Sequence, residues 1–115
     1  MSTVRFAAIV PIAIVVKHTR LDPYVIDTLM GDLVGHDRSP AAFIVYVYLS
    51  SRASGSRKRS VQMSHQSIAN DTGLSKSAVQ AALRHLNRRK LVRSDRETIT
   101  ATPEHFVLRP WATRR

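Results

Sequence analysis

The order of apolar and polar positions divides the chain into a short apolar stretch, two helical stripes and a longer alternation of helix and strand signals. Residues 6–16 form a continuous apolar run broken by Pro11. Its β-branched content predicts one or two extended segments, with the proline at an edge or a bend. Arg5 ahead of the run gives it a superficial likeness to a secretory signal. However, Lys17-His18-Thr19-Arg20 follows at once without a small-residue cleavage site. At eleven residues the run is also too short to cross a bilayer. Something must cover it, either the rest of the fold as a core strand or a second copy as a dimer-forming strand, and both readings stay open here. Asp22-Pro23 then marks a helix start, a carboxylate cap followed by proline at the first helical position. Ile26, Leu29, Met30 and Leu33 supply its stripe, and Gly35 is expected to end it. Asp27 and Asp32 fall on other faces and read as solvated groups rather than a metal or catalytic pair.

Ser39-Pro40 repeats the start signal. The residues after it, Phe43-Ile44-Val45-Tyr46-Val47-Tyr48, favour strand by composition. Phe43, Val47 and Ser50 nevertheless fall at helical spacing, as do Ile44, Val47 and Tyr48. Tyr46 and Tyr48 read as core or groove-lining residues, with base stacking the alternative. Residues 54–60 form a loop carrying Arg57-Lys58-Arg59, and Val61-Gln62-Met63 is expected to be a short strand.

The clearest pattern runs from Ser64 to Leu86. Ser64 can cap a short helix whose apolar side is Ile68 and Ala69, with Ala69 small where a second helix must cross. Gly73 falls where the chain leaves that helix, a position that favours positive φ. Ser75 caps the next helix, and Val79, Ala82, Leu83 and Leu86 repeat at i, i+3, i+4 and i+7 as one buried stripe. Ser77, Gln80, Ala81, Arg84 and Arg88 point away from it. The plain alternative is a helical hairpin that only packs.

Ile68-Ala69, Thr72-Gly73-Leu74-Ser75, Val79, Ala82-Leu83 and Leu86 resemble the helix-turn-helix core of bacterial winged-helix DNA-binding proteins. The likeness is strongest over residues 61–93 and extends over 39–110; the N-terminal third carries no motif of that family. It implies an α+β, mainly helical winged-helix fold with an extra N-terminal strand and helix, in which the second helix enters the major groove and the first sits across it. It also settles residues 40–53 as helix, since the family has a long helix before its helix-turn-helix. The whole chain is then one domain: residues 1–38 an extension available for dimerisation, 39–110 the core, and 111–115 a tail.

Beyond the second helix, Leu91-Val92-Arg93 starts a strand, and Ile99 with Phe106-Val107-Leu108 offers the return. The turn between them falls in Ser94–Glu97 or Thr100–His105, the latter favoured because Pro103 suits a tip better than a paired position. Trp111 reads as a packing lid over this wing, and Thr113-Arg114-Arg115 as a frayed end.

Charge sharpens the picture. The chain has 115 residues, enough for one domain with a modest core, and a net charge of +10. Residues 1–56 hold five basic and four acidic side chains, while residues 57–115 hold thirteen and four. The positive half is the helix-turn-helix half, as a polyanion partner requires. A membrane surface is the weaker candidate, because that half lacks an apolar helix bearing Trp or Phe. With no cysteine, disulfides and thiolate metal sites are excluded, which suits a cytoplasmic, nucleoid-associated protein. The five histidines are scattered without ligand spacing, no Gly-rich phosphate loop occurs, and Glu97 and Glu104 have no catalytic partner. The expectation is therefore no enzyme activity, metal or cofactor; the sequence gives no sign of a small-molecule effector.

The expected partner is double-stranded DNA, bound by a homodimeric repressor or regulator of bacterial, plasmid or phage type. Base reading falls to Ser77, Gln80 and Arg84, since Gln pairs bidentately with adenine and Arg with guanine. Backbone contacts fall to Ser75, Lys76, Arg57, Lys58, Arg59, Arg88, Arg89, Lys90, Arg93 and Arg96. The alternatives are the DNA-binding module of a replication initiator, and a winged-helix protein–protein adaptor.

Overall fold

The structure, a computed structural model, describes residues 19–112, so the apolar run at 6–16 and the end at 113–115 lie outside the described residues. Within them the fold is α+β and mainly helical, four helices and a three-stranded antiparallel sheet. The first helix, α1, consists of two π-helical segments, Val25–Leu29 and Gly31–His36, joined through Met30. Asp22 begins it as expected, its Oδ1 accepting the Tyr24 amide at 3.1 Å. The expected stripe is corrected. Val25, Leu29 and Leu33 are buried, whereas Ile26 and Met30 stand 45% and 39% exposed. The cause is the wider i→i+5 turn, seen where the Met30 amide reaches the Val25 carbonyl; residues four apart then share a face. Gly35 does not end the helix, which runs on to His36.

Helix α2 spans Pro40–Ala53, the expected range, with the Ser39 hydroxyl accepting the Ala42 amide. Its buried face is Ala42, Val45, Tyr46, Leu49, Ser50 and Ala53, not the sets through Phe43 or Ile44. Of those earlier positions only Ser50 is buried, because α2 is covered on more than one side, by α1, the sheet and the helices that follow. Tyr46 is a core residue whose hydroxyl donates to the Leu108 carbonyl at 2.8 Å. Tyr48 is half-buried and its hydroxyl donates to Asp71.

Strand β1 is Ser60–Gln62, one residue earlier than expected; Arg59 turns the chain into it at φ 55°, and the Met63 amide carries the register one step further to the Pro103 carbonyl. Helix α3 (His65–Thr72) and helix α4 (Lys76–Arg88) follow the sequence reading closely. Ser64 and Ser75 cap them, accepting the Ser67 and Ala78 amides at 3.1 Å each. Gly73 closes α3 at φ 85°, where a Cβ would be strained, and donates to the Ala69 carbonyl. Val79, Ala82, Leu83 and Leu86 are all buried, and α4 makes its most extensive contact with α2.

Strands β2 (Val92–Asp95) and β3 (Glu104–Val107) complete a sheet ordered β1-β3-β2. Val92 sits opposite Val107 and Ser94 opposite His105, so the turn between β2 and β3 occupies 96–103, overlapping part of each expected window. Ile99 is not on a returning strand; it lies in that turn, 85% exposed. Pro103 lies beside β3, buried, and not at the tip. Trp111 is a lid, but over the start of α1 rather than the wing. It stacks on Tyr24 with centroids 4.5 Å apart, and its indole N–H donates to Asp22 at 2.9 Å. Residues Pro110–Ala112 form a 3-10 turn.

Candidate nucleic-acid interface

Burying one side of α4 fixes what the other side presents. Ser77, Ala81, Arg84 and Arg88 are exposed, as the helical spacing required. Gln80 is only half-buried, because its amide lies 3.4 Å from Nδ1 of His65 at the start of α3. Between α4 and the wing runs an open groove lined by His65, Gln80, Arg84, Asn87 and Arg96. A second hollow extends it past Lys76 and Gln80 to Thr100 and Thr102 in the wing turn. Gln80, Arg84, Lys76 and Arg96 therefore border one continuous concave surface. Among the described residues Lys76 and Arg84 pair with no carboxylate, so their charges stay available to an outside anion.

The groove keeps its shape through a polar chain that joins α4 to β2, β3 and Met63, just past β1. Asn87 donates to the Leu83 carbonyl at 2.7 Å and accepts the Ser94 amide at 3.2 Å. The Ser94 hydroxyl lies 2.8 Å from Nδ1 of His105, and Nε2 of His105 lies 3.0 Å from the Met63 carbonyl. A carbonyl only accepts, so Nε2 carries the proton and Nδ1 accepts from Ser94. Burial holds the fully buried His105 imidazole below the usual histidine range, keeping the neutral ring this chain needs. His65 is likewise lowered, by burial and then by the cations Arg96 and Lys76. Sequence reading assigned no role to His65, Asn87, Ser94 or His105. Apart from the Leu83 carbonyl, four residues before Asn87, their partners stand 7 to 42 residues away, beyond any local spacing signal.

The cations expected on the DNA backbone separate into distinct groups. Lys76, Arg57 and Lys90 are exposed without a carboxylate partner among the described residues. Ser75 already uses its hydroxyl as the cap of α4. Arg88 lies 3.2 Å from Nδ1 of His85, and Arg96 donates to the Ile99 carbonyl at 3.1 Å. Arg93 lies over the Phe106 ring at 4.1 Å and pairs with Asp95, and Lys58 stands 3.9 Å from Glu104. Exposed pairs of this kind are worth about 0–1 kcal/mol and exchange readily for a phosphate.

Two arginines are placed elsewhere. Arg89 pairs with Asp37 and stands 3.7 Å from Asp32, tying the end of α4 to α1 and the bend after it. Arg59 is half-buried beside Tyr46 and Arg109, away from the groove. Local sequence gave both the look of surface cations; their acceptors and walls come from distant segments.

Among the described residues no group of acidic, histidine or cysteine side chains has the arrangement of a metal site, and no helix is long and apolar enough to cross a membrane. Comparison with family models, curated proteins and solved structures gives no match.

Proposed function

We propose that the chain is a winged-helix protein that binds double-stranded DNA sequence-specifically, as a homodimeric transcriptional repressor or regulator. The order α2-β1-α3-α4-β2-β3, with α4 exposed along one side and a two-stranded wing beside it, supports this architecture. The observation that carries the reading is the groove: Lys76, Arg84 and Arg96 line a concave face around Gln80, on a helix whose opposite side is fully committed to the core. In this reading α4 lies in the major groove, with Ser77, Gln80 and Arg84 meeting base edges. Lys76, Arg96, Arg57, Arg88 and Lys90 set the register on phosphates, joined by Arg93 and Lys58 on exchange of their surface carboxylates.

Titration with random duplex DNA at two salt concentrations tests the electrostatic part. Affinity should fall with salt, each phosphate-contacting cation adding about 0.9 to the log–log slope. No binding at low salt rules the proposal out and favours the adaptor. Selection of bound sites from random duplexes tests the specific part. An inverted repeat with half-sites about one turn apart fits a two-fold dimer. Direct repeats favour the replication-initiator alternative.

A further inference from the structure

Apart from the groove, a hollow of about 460 Å³ opens between the start of α1, the face of α2 and the residues flanking the sheet. Its wall carries three arginines, Arg20, Arg59 and Arg109, against one carboxylate, Asp22. That carboxylate is already engaged. It accepts the Tyr24 amide and the Trp111 indole N–H, and approaches Arg109 only to 3.8 Å. Arg59 has no ion pair among the described residues, and its Nε is buried without a hydrogen-bond partner. Folded chains seldom leave a buried donor unmatched, least of all on a cation. Nor is Arg59 a loosely held surface side chain. Its backbone sits at φ 55°, its amide donates to the Ser56 carbonyl at 3.0 Å, and its carbonyl accepts the Val107 amide at 2.9 Å. Arg59 and Arg109 line the same hollow beside the buried Tyr46. Leu21 and Pro23 supply an apolar wall beside them.

We propose that this hollow binds a small organic oxyanion, its phosphate or carboxylate head held by Arg59 and Arg109 and its body against Leu21 and Pro23. Arginine suits that head because its planar fork matches two oxygens at once. The hollow shares no lining residue with the groove, so the site stands whether or not the groove reads DNA.

The chain contains a single tryptophan, Trp111, bonded to the wall residue Asp22, which makes intrinsic fluorescence a local reporter. The full chain, free of DNA, is titrated with pyrophosphate and with citrate while sodium chloride holds ionic strength constant. A saturable change in emission is expected. Arg59→Gln and Arg109→Gln should each raise its midpoint at least about tenfold at an unchanged melting temperature. Ser54→Asp, which sets a carboxylate on the exposed rim, should do the same, and Arg84→Gln should leave the midpoint where it was. A response to pyrophosphate alone assigns the head as phosphate; a response to citrate alone assigns it as carboxylate. The proposal is overturned by the absence of saturation with either anion. It is equally overturned if whichever of Arg59→Gln, Arg109→Gln and Ser54→Asp are folded bind like the parent chain.

Discussion

The two ends of α4 carry similar side chains and hold them in opposite ways. From its start through Arg84, Lys76 and Arg84 face solvent and border the groove, Ser77 is exposed, and the Gln80 amide lies 3.4 Å from His65. Toward its end, His85 and Arg89 both reach Asp37, whose side chain is only 7% exposed, and His36 reaches it as well. A count of positive charge along the helix treats Arg84 and Arg89 alike. The fold does not: one is offered outward and the other fastens the helix to α1. A cation fastened to a buried carboxylate is withheld from a partner, whereas one facing solvent is offered to it.

Breaking the apolar anchor that both ends share should have the largest effect. Leu86→Ala, at a fully buried position, should cost about 2–5 kcal/mol of stability in denaturant unfolding. Next comes the fastened end. Asp37→Ala strips hydrogen bonds from charged partners and should cost about 1.5–3 kcal/mol, with base preference unchanged in the fraction that remains folded. The same carboxylate gives a pH signature. His36 and His85 as hydrogen-bond partners, then Arg89, pull the Asp37 carboxyl from 3.8 down to about 2. Its contribution is therefore complete above pH 3.8 and is lost as pH falls toward 2. Unfolding curves of the parent chain should weaken across that window more than those of Asp37→Ala; parallel curves would remove Asp37 from the account.

The open end should respond in binding rather than in stability. Arg84→Ala should cost about 1–3 kcal/mol of affinity, relax preference at one base pair and shift stability by less than about 0.5 kcal/mol. An intact base preference after that change would show that Arg84 reads nothing. The smallest effect belongs to Lys90→Ala, which should weaken all sequences alike and lower the salt slope by about one. If Arg89→Ala gave that uniform loss without loss of stability, the contrast between the two ends would collapse.

What could be read from the sequence follows the reach of each signal. Ser64, Gly73 and Ser75 act on amides and dihedrals within a few residues, and Val79 to Leu86 announce a buried stripe by spacing alone, so α3 and α4 were legible almost to the residue. Helix α2 had to overcome the strand preference of Ile44, Val45 and Val47, and the Ser39-Pro40 start together with the family likeness decided it. Helix α1 was legible as a helix but not in its face, because nothing local declares a π turn and an ordinary helical period puts Ile26 and Met30 inside. The wing turn was misjudged because Pro103 was read as a tip residue, when it is packed against the fold and takes its place from the Met63 amide. The anchoring role of Arg89 was invisible, since Asp37 lies 52 positions earlier. Local chemistry foretold α4; only tertiary structure separated its free cations from its bound ones.

The hydrogen-bonded run from Leu83 through Asn87, Ser94 and His105 to Met63 has a mechanical consequence. It works as a strut, so a twist applied at the far loop is delivered to the base of the helix instead of dissipating in the hinge between them. Because one link requires an uncharged imidazole and burial holds His105 below the usual histidine range, the strut should persist in mild acid and slacken only at lower pH.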